Sequence, residues 1–293
     1  MNILVTGVSG FVGSYLANIL LKNGNAVTGV SRSNNSNAIK TLLNDKNFKF
    51  IKADLSKNFY GPDDIDVIVH AAAEAKPSGA SVLEYVDNNV IGVKNISVYA
   101  TRVNVKKIIY FSSLSVYGEI DRSIVDEEMP VINPSIYGIS KYVGELLLKD
   151  ISSKIPTIAF RLPGIIGKGS QGPWLSKVLE KTFKGEDLTI YNPSNSFNNV
   201  VYLPDLSIFI LHLLEKELKG FDAINLACNG SLTVEEVVKE IIRETGSISK
   251  VIIKKSDKVS FTISINKAKQ VYSYQPESIK NILKKFVIEN KVS

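Results

Sequence analysis

Tyr137 and Lys141 stand four residues apart in the run Tyr137-Gly138-Ile139-Ser140-Lys141, which follows Asn133-Pro134. If this run opens a helix, positions i and i+4 share a face, and the phenol and the ammonium project into the same space. A neighbouring cation favours the phenolate and draws the tyrosine pKa below its reference of about 10. Such a tyrosine can donate a proton to a carbonyl, or take one from an alcohol, near neutral pH. With 12 tyrosines in a lysine-rich chain, about one such pair is expected by chance, so its meaning depends on what surrounds it.

A second group of residues suits a phosphate. Thr6-Gly7-Val8-Ser9-Gly10-Phe11-Val12-Gly13 follows the strand-like run Ile3–Val5 and opens a helical pattern. Gly7 permits a tight turn, Gly10 lets a phosphate approach the backbone, and Gly13 allows close helix–strand contact. The helix start, with Ser9, Phe11 and Val12, supplies free N–H groups and positive potential. The position between strand and helix makes this a dinucleotide loop. The next strand ends Val30-Ser31-Arg32-Ser33 without the carboxylate that would hydrogen-bond a ribose 2′-hydroxyl. Arg32 offers a fork suited to phosphate oxygens and Ser31 a hydroxyl, which favours NADP(H), with NAD(H) as the alternative.

The elements that position these groups alternate. Ile3–Val5, Ala26–Val30, Phe48–Ile51, Val67–Val69, Lys107–Phe111 and Thr157–Phe160 read as strands, and Phe11–Lys22, Ser81–Arg102 and Ser135–Lys149 carry apolar residues at helical spacing. This predicts an α/β fold, a Rossmann doubly wound parallel sheet with helices on both faces. Beyond residue 165 the regularity ends. Gly164–Pro173 reads as a loop feeding a helix at Trp174–Lys184. The expected organisation is a nucleotide-binding lobe, 1–165 with 197–225 returning to it, and a smaller irregular C-terminal lobe, 166–196 and 226–293. A cleft between them would hold the substrate.

In this order the chain resembles the extended short-chain dehydrogenase/reductases, the family of sugar-nucleotide epimerases, dehydratases and reductases. Beyond the glycine loop and Tyr137/Lys141, the resemblance rests on Asp54-Leu55, His70-Ala71-Ala72-Ala73, Asn89-Val90-Ile91-Gly92, Ser112–Gly118 and Arg161-Leu162-Pro163. It implies that Ser113 hydrogen-bonds the reacting oxygen and that Lys141 also binds the nicotinamide ribose. It also implies that Asp54, Leu55, Ala71, Ala72, Ala73, Asn89, Tyr137 and Pro163 border the cofactor. The dehydratases' Asp-Glu pair is replaced by Leu114-Ser115, and the lone Cys228 does not fit the cysteine–histidine epimerising reductases. What remains is an NADP(H)-dependent reductase of a 4-keto sugar nucleotide, with an NAD-dependent 4-epimerase as the alternative and a non-catalytic nucleotide-binding protein as a third. Gly164 and Asn198-Asn199 stand where family members place an Asn and an Arg-Asp toward the diphosphate, leaving Lys168 and Lys177 as candidate cations. Pairing through Ser81–Arg102 and Ser135–Asp150 would make a homodimer.

Composition narrows the rest. The 293 residues are 44% hydrophobic and 22% charged, ordinary for a globular protein. No apolar run reaches the length of a membrane span, and the start lacks a signal-peptide pattern, so no membrane association and a cytoplasmic site are expected. One cysteine and two histidines make a metal centre an unfavoured expectation. The net charge of +6 gathers loosely at Lys250–Lys258 and Lys280–Lys285 without interleaved aromatics, so nucleic acid is not an expected partner.

Overall fold

The computed structural model describes residues 1–75, 79–256 and 260–291; Lys258 of the lysine cluster lies outside them. The chain forms two compact units. The first comprises Met1–Gly118, Val131–Arg161 and Ile210–Ile224, and the second Glu119–Pro130, Leu162–Phe209 and Asn225–Ser293.

The first unit is built on β1 (Asn2–Thr6), α1 (Phe11–Lys22), β2 (Ala26–Ser31), α2 (Asn37–Leu42), β3 (Phe48–Lys52) and β4 (Val67–His70). There follow α3 (Val82–Tyr85), α4 (Gly92–Val103), β5 (Lys107–Ser113), α5 (Ile136–Asp150), β6 (Thr157–Leu162) and β7 (Phe221–Asn225). The seven strands form one sheet in the order β7-β6-β5-β4-β1-β2-β3. The pairings from β5 across to β3 are parallel, with Ile3 opposite both Val27 and Val67. β1, β4 and β5 are buried on both faces, which is why they read as continuous apolar runs rather than as alternating ones. Leu4, Ile68, Ile108 and Ala159 of the strands pack with Ile96, Tyr99 and Leu148 of the helices in a single core. The predicted Rossmann sheet is the observed one.

The second unit has its own core, in which Ile166, Leu175, Leu188, Val237, Ile282 and Phe286 are buried together. Among the described residues only short two-stranded pairings occur there. Gly164–Ile166, expected to be loop, is a strand parallel to Val200–Tyr202. The glycines do not prevent this, because its partner strand lies more than thirty residues away, beyond any local signal. Trp174 begins its helix at a proline N-cap, and its ring packs edge-on against Phe197 at 5.3 Å. Among the described residues no helix is long and apolar enough to cross a membrane. No cluster of three or more His, Cys, Asp or Glu suited to a metal occurs among them either.

Candidate active site

The glycine loop is wired to the sheet. The N–H groups of Gly7 and Val8 both donate to Val30 O, at 2.9 and 3.3 Å, and Gly10 N–H donates back to Gly7 O at 2.9 Å. Gly7 has φ +72°, and a Cβ on Gly13 would stand 2.3 Å from Gly7 O, so the turn and the helix approach both exclude side chains. α1 starts at Gly10 without a side-chain cap, leaving its first N–H groups to a ligand. Around this loop lies a cavity of about 330 Å³. Of the residues assigned to a cofactor, Gly7, Ser9, Gly10, Ser31, Arg32, Asp54, Leu55 and Ala71–Ala73 line it. Val30, Ser33, Ala53, Glu74 and Asn88, which sequence reasoning missed, line it too.

Phe11, Val12 and Gly13 form the first turn of α1 behind the loop. Asn89 is buried in a π-helical stretch, Val86–Ile91, between α3 and α4. Its Oδ1 accepts from Glu74 N–H at 2.7 Å, while its Nδ2 donates to Glu74 O at 3.1 Å and to Ser140 Oγ at 2.9 Å. Asn89 therefore acts as a clamp between the Glu74 segment and the start of α5. Asp54 makes a local turn by accepting from Ser56 N–H at 3.0 Å, the bond that most lowers its pKa. Pro163 belongs to the second unit.

Ser113 ends β5, and its Oγ accepts from Ser115 N–H at 3.1 Å. Ser135 caps α5 by accepting from Gly138 N–H, which orients the first turn that carries Tyr137. A Cβ on Gly138 would stand 2.0 Å from Ser115 O, so the glycine lets the catalytic helix press against the serine loop. A hydrogen bond from the Ser113 side chain pulls the Tyr137 pKa down, but burial pushes it up by more, and the net shift is upward. The expected lowering by Lys141 is thus corrected. The Lys141 amine sits over the Tyr110 ring, 4.3 Å from its centre, and its own burial draws its pKa down to about 7. His70 stays neutral, its pKa pushed to about 3 by burial and then by Lys141. Its Nδ1 lies 2.8 Å from the Thr6 hydroxyl.

The model of the NAD dependent epimerase/dehydratase family matches residues 3–227. The chain belongs to that family. Protein CapI of Staphylococcus aureus is 30% identical over 74% of this chain and 70% of its own length. The UDP-glucose 4-epimerase of Bacillus subtilis is 28% identical over 84% of the chain and 83% of its own length. Among solved structures, the UDP-glucuronic acid 4-epimerase of Bacillus cereus, in complex with UDP-glucuronic acid and NAD, is 26% identical. Its TM-score is 0.82, with 99% of this chain and 98% of that one covered.

The chain is accordingly an enzyme of the NAD-dependent epimerase/dehydratase type, and the cavity at the glycine loop fits the family's cofactor. Backbone donors converge there, and a Cβ on Gly7 would lie 2.9 Å from the Ala72 backbone. At the far end of the cavity, Arg32 does not stand alone. Its Nη1 donates to Asn88 Oδ1 at 3.3 Å and its Nη2 lies 4.0 Å from Glu74 Oε2. Ser31 Oγ donates to Ser33 O at 2.7 Å. In the second unit, Asn198 is occupied with Ile263, donating to its O and accepting from its N–H, each at 2.8 Å. Lys168 and Lys177 are exposed.

Proposed function

We propose that this enzyme is an NAD-dependent 4-epimerase of a nucleoside-diphosphate sugar. The observation that carries the reading is Glu74, a carboxylate with 7% exposure that lines the cofactor cavity beside Arg32. Its charge answers the guanidinium and would repel a 2′-phosphate, which favours NAD over NADP. An NAD kept in place suits a reaction that returns its cofactor to the starting state. The similarity to 4-epimerases over nearly the whole chain supports the same choice.

In this reading the first unit's glycine loop, with Asp54, Leu55 and Ala71–Ala73, holds the dinucleotide. Residues 166–196 and 226–293 take the sugar nucleotide, with Lys168 or Lys177 as cations for the diphosphate. Bound NAD would supply an acceptor, and then a donor, of hydride. As phenolate, Tyr137 Oη would take the proton from the sugar hydroxyl during oxidation and, then a phenol, give it back to the carbonyl oxygen during reduction of the opposite face. Ser113 Oγ holds that oxygen in line, and the Lys141 ammonium, with the positive nicotinamide of bound NAD, would favour the phenolate against the upward pull of burial. The same reading makes the enzyme cytoplasmic. It also makes it a homodimer, through helices whose Val82, Leu83, Val98 and Leu146 are exposed.

A second reading, the NADPH-dependent 4-ketoreductase, is favoured by one feature. β2 ends in Ser31 rather than a carboxylate, and the Arg32 side chain is 65% exposed, free to turn toward a phosphate. The test is a panel of nucleotide sugars supplied to the purified chain, once without cofactor and once with NADPH. Interconversion of two 4-hydroxyl epimers supports the epimerase. Turnover only of a 4-keto sugar, with stoichiometric consumption of NADPH, overturns it.

A further inference from the structure

Eight residues beyond Tyr137 and four beyond Lys141, α5 carries Glu145 on the same face. It is a carboxylate with 2% exposure, and every bond it makes is directed. Arg161 of β6 grips it twice, Nε to Oε1 at 3.1 Å and Nη2 to Oε2 at 2.7 Å. The hydroxyl of Ser112, the neighbour of Ser113, donates to Oε1 at 2.5 Å. Arg161 is steadied in turn by Tyr117, donating to its hydroxyl at 3.0 Å and stacking over its ring at 4.8 Å.

A buried ion pair of this kind is a poor device for stability alone, because desolvation of the two charges offsets most of their attraction. Its geometry matters more. Glu145 stands one helical turn beyond Lys141, and in one grip its carboxylate joins β5, α5 and β6, which carry the serine strand, the catalytic pair and the strand exit. We propose that Glu145, held by Arg161, is a positioning residue that keeps Lys141 charged beside Tyr137. The inference rests on the reading of Tyr137 and Lys141 as the reacting pair.

The groups around the Lys141 amine make the case for a need. From β5 it faces the Tyr110 ring, and from β4 it is felt by His70, whose imidazole is neutral. On its own helix it has Tyr137, a neutral phenol, and Glu145, behind which stand Arg161 and Tyr117. Glu145 supplies the negative charge that opposes the desolvation of the ammonium. Without it the desolvation of the ammonium would go unopposed, which favours the neutral amine further.

The experiment follows the Lys141 side chain by NMR in the full chain labelled with ¹³C-lysine, the resonance being assigned by its loss in Lys141→Arg. Glu145→Gln is the direct variant. The double variant E145Q/R161Q removes both charges together so that neither is buried alone, and Glu145→Asp serves if either unfolds. The titration midpoint of Lys141 is expected to fall by about one pH unit in each folded charge-neutral variant. At pH 7, kcat is expected to fall at least roughly tenfold, with KM within about twofold. Ser112→Ala keeps the carboxylate and should leave the midpoint unmoved. An unchanged midpoint in the Gln variants, or an equal shift in Ser112→Ala, overturns the proposal. Because the midpoint needs no substrate, failure of the wild type to epimerise any sugar would sink the functional reading and not this one.

Discussion

The amine of Lys141 lies over the ring of Tyr110, 4.3 Å from its centre, inside a protein shell that leaves the residue 2% exposed. That placement gives the protein a pH signature. The unfolded lysine titrates near 10.5 and the folded one near 7, so between these values the unfolded state holds a proton that the folded state lacks. Stability therefore rises as pH goes from 7 toward 10, by up to about 1.4 kcal/mol per unit from this group. Chemical denaturation of the cofactor-free protein at several pH values, beside Lys141→Met, isolates the contribution. The gap between the two curves should change steadily across that window; parallel curves would show that Lys141 is not the group responsible.

Tyr137→Phe is expected to lower turnover by at least about 10³-fold while changing NAD affinity less than about twofold, since the hydroxyl serves proton transfer and not binding. Ser113→Ala should cost roughly 10²-fold through the lost hydrogen bond to the reacting oxygen. Steady-state rates and cofactor titrations read both. A Tyr137→Phe enzyme with most of its activity would remove the catalytic assignment.

Cofactor choice is a test of Glu74. Wild type should bind NAD more tightly than NADP. Glu74→Gln removes the charge that answers Arg32, and should narrow the preference about tenfold. Ser31→Asp adds a second carboxylate at the strand end and should widen it. Calorimetric titration with both dinucleotides measures each change, and a wild type that prefers NADP would point back to the reductase.

The sheet, the glycine turn and the Tyr/Lys spacing were legible in the sequence because each is encoded within a few residues. What was not legible depends on residues far apart. Burial decides the sign of the Tyr137 shift, and no local spacing reports burial. Glu74 meets Arg32 across forty-two positions, and Asn89 meets Glu74 across fifteen, from a π-helical stretch that the apolar periodicity of Ser81–Arg102 does not reveal. Asn198, in the place of an expected diphosphate ligand, holds the backbone of Ile263, a pairing invisible until the chain is folded.

Gly138 offers the last test, of how closely the catalytic helix must approach the serine loop. A methyl group there would stand 2.0 Å from the Ser115 carbonyl, whose own N–H is bonded to Ser113 Oγ. Backbone on both sides of the contact cannot turn away as a side chain could, so Gly138→Ala must push the start of α5 off the loop. The displacement moves Tyr137 and Ser113 apart and should lower kcat by roughly 10²-fold, the cost of a misplacement near 1 Å. Destabilisation of about 1–3 kcal/mol should accompany it, because the strain falls in a packed region. Gly172→Ala, where a Cβ meets nothing within 4 Å, is the control for stability and should leave the melting temperature unchanged. Activity assays and thermal melts on the two variants decide the matter. A Gly138→Ala enzyme as active as the wild type would mean that the contact between Gly138 and Ser115 does not govern the geometry of the catalytic pair.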